Sequence, residues 1–384
     1  MLNFSYQNPT RIVFGKDQLS QLTKLIPTGS KVLMLYGGGS IKHNGVYDQV
    51  VAALADFDWQ EFSGIEPNPS FETLMKAADL VREQKIDFLL PVGGGSVIDG
   101  AKFVAAAAVY PGDAWDILAN RGKVENAVAL GCVLTLPATG TESNGNSVVT
   151  RYETQQKLSF SSPLVYPKFA ILDPTVTFSL PPRQVANGVV DAFVHVIEQY
   201  LTYPVHAPVQ DRFAEGLLQT LIEEGPKALS DPDNYDVRAN IMWAATMALN
   251  GLIGQGVPQD WATHMIGHEI TAVYGLDHAQ TLAIVLPALM QQQRVQKREK
   301  LLQFGRRVWQ LSHQDEERLI DDTISHTRAF FEQMGVPTRL ADYSIAADAV
   351  DKLVAKLEAN GMLKLGEHGD IDLDVSRQIL QKAV

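Results

Sequence analysis

The first 180 residues alternate between two patterns of hydrophobic and polar positions. The runs KVLMLY (31–36), DFLLPV (87–92) and VALGCVLTLP, which ends at Pro137, are apolar almost throughout, as expected of strands buried on both faces. Between them, GVYDQVVAALAD and FETLMKAADLVREQK place apolar residues at helical spacing. This alternation predicts a parallel sheet that is covered by helices on both faces.

The pattern changes near Pro181 and Pro182, and from Arg183 onward almost every periodic segment repeats at 3.6 residues. Apolar β-branched runs flanked by turns are missing from this second half. A chain of 384 residues is also too long for one ordinary domain. We therefore predict an α/β domain over residues 1–180 and an all-helical domain over residues 181–384.

Two glycine turns follow apolar strands of the first half, Gly37-Gly38-Gly39-Ser40 and Gly93-Gly94-Gly95-Ser96. Glycine lets the backbone approach a ligand, and the N–H groups at a helix start favour an anion. Ligands in open α/β sheets bind at the carboxyl ends of the strands. The second turn is therefore a candidate pyrophosphate site, and a tight turn without a ligand is the alternative. Neither turn has the G-x-G-x-x-G fingerprint.

Two segments of the second half carry ionisable residues inside apolar runs. Asp191 and His195 are four residues apart, as are His264 and His268, and His278 follows after Gly275. Residues four apart share one helix face, and an unpartnered charge in apolar surroundings is costly. One carboxylate with two or three imidazoles predicts a divalent metal site. Spacing alone leaves His264 and His268 equivalent, and core histidines with a capping acid are the alternative.

The charge balance narrows the possible partners. Asp and Glu number 44 against 32 Lys and Arg, for a net charge of −12, which argues against nucleic-acid or anionic-membrane partners.

No apolar run approaches the ~18 residues of a membrane span, and the N-terminus lacks a signal-peptide pattern. The single cysteine, Cys132, excludes an internal disulfide and fits a reducing compartment. We expect a cytoplasmic protein.

Several motifs together resemble one enzyme family. The runs AILDPTVTFSLPPRQVANGVVDAFVHVIEQY and WATHMIGHEITAVYGLDHAQT resemble the two signatures of the iron-containing (group III) alcohol dehydrogenases, and PNPS, GGGSVIDGAK and TLPATGTES occur in that family's order. The resemblance covers essentially the whole chain, and is nearest to bacterial NADPH-dependent aldehyde reductases and butanol dehydrogenases. It implies a dehydroquinate synthase-like architecture, an α/β dinucleotide-binding domain before an all-α domain, with the active site in the cleft between them. It also implies a homodimer.

The resemblance assigns roles that spacing leaves open. The residues that match the family's metal ligands are Asp191, His195, His264 and His278. His268 matches a histidine beside the nicotinamide, where it is a candidate proton relay, with an orienting role as the alternative. The residues that match cofactor contacts are Gly94, Gly95, Ser96, Asp99, Thr135, Thr139 and Lys157. The family's TxGTGSE pattern reads ATGTESN here.

The first glycine turn indicates NADP(H) as the cofactor. In dinucleotide-binding domains, an acid after an early strand commonly bonds the ribose 2′-hydroxyl of NAD and would repel a 2′-phosphate. No acid follows the strand 31–36 until Asp48. Gly37, Gly38 and Gly39 leave room, while Ser40 offers a hydroxyl and Lys42 a charge suited to phosphate. A merely solvated Lys42 is the alternative.

We therefore expect an enzyme that reduces short- to medium-chain aldehydes to primary alcohols, reversibly, by hydride transfer from NADPH. It would use one divalent metal. A ligand set of three histidine nitrogens and one carboxylate oxygen does not distinguish Fe²⁺ from Zn²⁺. A dehydroquinate synthase-like lyase, with metal and NAD acting on a phosphorylated polyol, is the alternative. That lyase would need basic residues that 191–198 and 261–281 almost entirely lack. A non-catalytic metal-binding protein would not need two glycine turns.

Overall fold

The structure is a computed structural model that describes every residue from Met1 to Val384. Its contacts group into two compact units. The helical unit comprises Met1–Tyr6, Pro182–Pro232 and Met247–Val384, and the α/β unit comprises Gln7–Pro181 and Asp233–Thr246. The domain boundary at 180/181 stays a prediction, because compactness does not test whether either part folds alone.

Two short segments group away from their neighbours in sequence, each for an identifiable reason. In the α/β unit, Met242 is buried in an apolar cluster with Cys132 and Leu134, which explains why 233–246 belongs there. In the helical unit, the backbone N–H of Leu2 donates to the carbonyl of Gly256 at 2.8 Å. That bond ties the N-terminus to the helical unit.

The strands are β1 (Arg11–Phe14), β2 (Lys31–Leu35), β3 (Asp58–Phe62), β4 (Phe88–Gly94), β5 (Ala129–Leu130), β6 (Cys132–Leu136), β7 (Asn146–Arg151), β8 (Gln156–Ser161) and β9 (Phe169–Leu172). The helices are α1 (Leu22–Leu25), α2 (Val46–Ala53), α3 (Phe71–Gln84), α4 (Gly95–Ala107), α5 (Asp116–Ala119), α6 (Pro182–Tyr200), α7 (Pro208–Ser230), α8 (Tyr235–Leu249), α9 (Ala262–Tyr274), α10 (His278–Gln292), α11 (Arg298–Arg307), α12 (Glu316–Gln333), α13 (Ala349–Ala359) and α14 (Leu373–Lys382). Short 3₁₀ turns join several of them. No helix combines the length and the apolar character that crossing a membrane requires.

The predicted fold class is confirmed. The main sheet has the order β1-β9-β6-β4-β2-β3, with β5 beside β4, and its pairs are parallel. Strand β9 and the antiparallel hairpin of β7 and β8 were not predicted. The hairpin strands mix polar and apolar residues, so their pattern does not stand out from a loop.

Alternate residues of the central strands face opposite sides of the sheet. In β2, Leu33 and Leu35 are buried in one apolar cluster. Val32 and Met34, on the same strand, are buried in a second cluster. The sheet is therefore buried on both faces, as its uninterrupted apolar strands predict.

A close approach of two helices positions the ligands of the helical unit. On α9, a Cβ added to Gly267 would lie 2.9 Å from Oγ1 of Thr281 on α10. Real Cβ atoms essentially never come that close, so a side chain at 267 would force Thr281 or one of the two helices to shift. His264 lies one turn before Gly267, and His278 lies one turn before Thr281, so a shift of either helix there would also move a candidate ligand.

Candidate metal centre and cofactor turns

Three helices bring the four candidate ligands together. Asp191 and His195 lie on α6, His264 on α9, and His278 begins α10. One ligand atom from each lies within 4.8 Å of all the others. Asp191, His195 and His264 are buried, and His278 is partly exposed.

The separations within this group suit a metal ion. Nε2 of His264 lies 3.0 Å from Nε2 of His195, and Oδ1 of Asp191 lies 3.7 Å from Nε2 of His278. Ligands about 2.1 Å from a tetrahedral metal are about 3.4 Å from one another. Burial, and then the neighbouring His264, hold the pKa of His195 well below its usual value. His195 is therefore neutral, the form that binds a metal.

Glu198, which the sequence-based prediction missed, orients His264. Its Oε2 accepts a short hydrogen bond from Nδ1 of His264, and its Oε1 accepts the backbone N–H of Thr263 at 2.6 Å. With the proton on Nδ1, Nε2 of His264 keeps its lone pair for a metal. Burial, and then Asp260, raise the pKa of the Glu198 carboxyl. Glu198 follows Asp191 by seven residues, so helical spacing could have identified it.

His268 lies beside the ligand group but is not a member of it. It is buried one turn after His264, with ring centroids 6.3 Å from His264 and 5.4 Å from His278. Spacing made His264 and His268 equivalent, whereas the folded helix groups only His264 with the other three. The relay role of His268 stays a prediction.

Trp261 is a second residue that the sequence-based prediction missed. It has a φ of 65°, a left-handed conformation that is strained for a bulky side chain. Its ring centroid lies 5.3 Å from that of His264 and 6.2 Å from that of His195. Its indole N–H donates to Oε1 of Gln259 at 2.8 Å. Trp261 therefore forms an aromatic wall against two candidate ligands.

In the second glycine turn, packing explains part of the glycine content. A Cβ on Gly93 would lie 2.6 Å from Cγ2 of Val97, and one on Gly95 would lie 2.5 Å from Oγ1 of Thr139. Gly94 ends β4 and is the N-cap of α4. Ser96 Oγ accepts the backbone N–H of Asn68 at 3.2 Å. Glycine at 93 and 95 is thus required for the turn itself, with or without a ligand.

The first glycine turn has an acidic neighbour, contrary to the sequence-based expectation. A carboxylate oxygen of Glu61, on β3, lies 3.5 Å from Nζ of Lys42. Strand β3 pairs in parallel with β2, so the end of β3 reaches the turn that follows β2. Lys42 also lies over the ring of Tyr47, 4.6 Å from its centroid. Lys42 is exposed, so these contacts orient a solvated ammonium, and its role toward a phosphate stays a prediction.

Asp99 acts on the loop after β6 through hydrogen bonds. Its Oδ1 accepts from Thr141 Oγ1 at 2.5 Å, and its Oδ2 accepts from the backbone N–H of Val148 at 3.0 Å. The fully buried Lys102, which was not predicted, donates to Thr141 Oγ1 at 2.6 Å and to Asn144 Oδ1 at 3.0 Å. Burial lowers the pKa of Lys102 to about 8. Asp99 and Lys102 together hold the segment ATGTESN in place.

The remaining predicted cofactor residues also lie at the ends of strands of the α/β unit. Thr135 is buried near the end of β6. Thr139 lies in the loop after β6, and its Oγ1 is buried without a hydrogen-bond partner. Lys157, on β8, donates from Nζ to Oδ1 of Asn68 at 2.9 Å. Since Asn68 also bonds Ser96, Lys157 is linked to the second glycine turn.

Comparison with known proteins identifies the family. The family model described as iron-containing alcohol dehydrogenase matches residues 9–174, and that of the family's C-terminal domain matches residues 185–381. The chain is 61% identical to the NADPH-dependent aldehyde reductase YqhD of Escherichia coli (strain K12), over 100% of both chains. It is 44% identical to a probable NADH-dependent butanol dehydrogenase 1 of Bacillus subtilis (strain 168), over 94% of this chain and 95% of the relative.

Solved structures of such proteins have the same fold. A substrate- and cofactor-free form of the E. coli aldehyde reductase YqhD superposes with a TM-score of 0.93 at 59% identity, over 100% of both chains. The NADH-dependent butanol dehydrogenase A of Thermotoga maritima superposes with a TM-score of 0.96 at 38% identity, over 100% of this chain and 99% of that one. The protein therefore belongs to the iron-containing alcohol dehydrogenase family.

Proposed function

We propose that this protein is an NADPH-dependent aldehyde reductase, which converts short- to medium-chain aldehydes to primary alcohols and runs in reverse under suitable conditions. The observation that carries the proposal is the group of Asp191, His195, His264 and His278, whose ligand atoms converge within 4.8 Å. Full-length similarity to the E. coli reductase supports it. Membership of an alcohol dehydrogenase family does not favour the lyase alternative.

The four converging side chains would hold one divalent cation, Fe²⁺ or Zn²⁺. When bound, such a cation polarises a carbonyl oxygen, and a reduced nicotinamide supplies the hydride. Glu198 keeps the proton of His264 on Nδ1, which directs Nε2 toward the group. Burial of Asp191, His195 and His264 keeps water away from three of the four ligands.

His268 is our candidate for moving the proton that the alcohol oxygen gains. It is buried within 5.4 Å of His278, centroid to centroid, without belonging to the ligand group. An imidazole there can donate from one ring nitrogen and recover a proton through the other. An orienting role for His268 is the alternative, and metal content together with rate separates the two.

The cofactor would bind to the α/β unit through its two glycine turns. We assign the pyrophosphate to Gly94, Gly95 and Ser96 at the start of α4, where helix N–H groups favour an anion. Asp99, Thr135, Thr139 and Lys157 would support the nicotinamide side. The first turn, Gly37–Ser40 with Lys42, would accept the 2′-phosphate of NADPH, since the glycines leave room and Lys42 provides a charge. The E. coli relative is named as NADPH-dependent and the B. subtilis relative as NADH-dependent. The cofactor preference of this turn therefore needs a direct test.

We further propose a cytoplasmic homodimer, in agreement with the family resemblance. Size-exclusion chromatography with light scattering tests the dimer, and a molecular mass of 42.2 kDa in solution would contradict it.

A spectrophotometric assay tests the reaction. Metal-free protein is reloaded with Fe²⁺ or Zn²⁺, and oxidation of NADPH or NADH is followed at about 340 nm with butanal as substrate. We expect turnover only with metal, and a higher kcat/KM with NADPH. If butanal and other simple aldehydes oxidise neither cofactor, the protein is not an aldehyde reductase.

A further inference from the structure

A buried ionic cluster lies in the helical unit, next to the turn that begins α9. Lys297, which is 3% exposed, lies just before α11. Its Nζ lies 2.5 Å from Oδ2 of Asp260 and 2.9 Å from an oxygen of Glu367, and it donates to the carbonyl of Leu201 at 2.8 Å. The ammonium therefore uses its three donors on two carboxylates and one carbonyl, all away from bulk water.

Asp260 connects this cluster to the first turn of α9. Its Oδ1 accepts the backbone N–H of Ala262 at 2.8 Å, and its own N–H donates to the carbonyl of Glu198 at 2.9 Å. Glu198 in turn accepts the N–H of Thr263 and holds the imidazole of His264. Two carboxylates thus bind two successive N–H groups at the helix start, immediately before a candidate ligand.

The cation is essential to this arrangement on electrostatic grounds. The side chains of Asp260 and Glu367 are buried, and the ammonium of Lys297 lies between their carboxylates. Removing one partner of a buried ion pair leaves an uncompensated charge, which is strongly destabilising. Without Lys297, water would have to reach Asp260 or its carboxylate would have to move, and either change alters the bonds that begin α9.

We propose that Lys297 is a positioning residue for the metal centre, which acts on His264 through Asp260 and the first turn of α9. The proposal rests on the metal site under Proposed function and adds a residue that touches no candidate ligand. Trp261 lies in the same turn in a left-handed conformation, so a shift of this turn would also move the ring that packs against His195 and His264.

The chain offers a matched control one turn further along. Lys300 is also a buried lysine, with its ammonium paired to Asp211 and over the ring of Tyr200. Asp211 lies on α7, which carries none of the four candidate ligands, and Tyr200 is the last residue of α6, an end that Lys297 also contacts through Leu201. Lys297→Met and Lys300→Met therefore each remove one buried cation of the helical unit, but only the first breaks the link to α9.

The experiment compares Co²⁺-loaded wild-type protein with both variants. The release rate of Co²⁺ to excess EDTA, the visible absorption spectrum of bound Co²⁺ and the melting temperature are measured. We expect both variants to melt at lower temperature. Lys297→Met should also release Co²⁺ about 3- to 10-fold faster, somewhat less than the loss from removing a direct partner of a ligand, and change the Co²⁺ spectrum. Lys300→Met should keep the wild-type release rate and spectrum.

Two results would overturn the inference. One is a Lys297→Met variant that releases Co²⁺ at the wild-type rate with an unchanged spectrum, and the other is equal acceleration in both variants, which would show a general loss of stability. If Lys297→Met does not fold, Asp260→Asn breaks the same link while its amide oxygen can still accept from Ala262, and its release rate decides. Wild-type protein that binds no Co²⁺ would instead refute the metal centre itself.

Discussion

Placing a carboxylate in the first glycine turn tests whether this turn reads the 2′-position of the cofactor. Gly38 is the position to change. Its added Cβ would meet no atom within 4 Å, whereas a Cβ on Gly37 would lie 3.1 Å from the carbonyl oxygen of Ile65. Gly39 has a φ of 97°, which a side chain would strain. Gly38→Asp therefore adds a charge without disturbing the backbone.

The expected penalty follows from the charges and from the exposure of the turn. Two unit charges about 6 Å apart interact by about 0.7 kcal/mol in water and by about 3 kcal/mol at an effective dielectric of 20. A phosphate monoester carries about −1.5 to −2 charges at neutral pH. Because Gly38 is exposed, the lower part of this range applies. We expect a loss of about 1–2 kcal/mol in NADPH binding, about 5- to 30-fold in affinity.

The assay is a fluorescence titration of each variant with NADPH and with NADH, together with kcat/KM for both. Gly38→Asn is the control, because it has the same size without the charge and should leave the ratio of the two affinities close to that of the wild type. Gly38→Asp should lose NADPH affinity and keep or improve NADH affinity. If Gly38→Asp lowers the affinities for NADPH and NADH equally, or if Gly38→Asn and Gly38→Asp behave alike, this turn does not recognise the 2′-position.

Three further predictions concern the metal centre and the loop that Lys102 supports. Asp191→Ala should lose bound metal and nearly all activity while the α/β unit stays folded, and full occupancy by metal analysis would remove Asp191 as a ligand. His268→Ala should keep its metal and lose rate by about 10²-fold if it relays a proton, whereas a collapse of metal content would make His268 a ligand. Burial lowers the pKa of Lys102 from 10.5 to about 8. Between pH 8 and 10.5, the unfolded chain therefore binds more protons than the folded one. From pH 8 to 10, the free energy of unfolding of the wild type should rise by about 2 kcal/mol relative to that of Lys102→Met. Urea unfolding of both proteins at several pH values measures this, and the same pH dependence in both would contradict the prediction.

The parts of the fold that sequence predicts best are those that local pattern determines. Strands β2 and β4 are buried on both faces, so their apolar runs are unbroken and stand out. Strand β7 has the sequence NSVVTR and exposes its first residue. Segment 146–151 forms a strand because it pairs with β8, and its own sequence pattern does not predict that pairing. Strand β9 has only four residues, Phe169–Leu172, and is too short to show a period.

For the site, the pairing of residues on one helix could be predicted from sequence, whereas contacts between helices could not. Asp191 and His195 could be paired from sequence because four residues make one turn. The position of His278 relative to Asp191 depends on how α10 packs, which no local pattern contains. Glu61 was missed for the same reason, since it reaches Lys42 only because β3 pairs with β2. Lys102 was missed because a lysine in an Ala-rich helix looks like an exposed one until its loop folds over it.

The contact between Gly267 and Thr281 has a practical consequence for anyone who diversifies this enzyme. Position 267 bears no functional group, yet a single methyl there would act as a wedge between α9 and α10 and spread His264 away from His278. In a random library such a clone would be scored as inactive although every ligand and every cofactor contact is intact. Thr281→Ala removes the oxygen that such a methyl would meet, whereas Thr281→Ser keeps it. Positions 267 and 281 should therefore be randomised as a pair, since a side chain at 267 needs a smaller residue at 281.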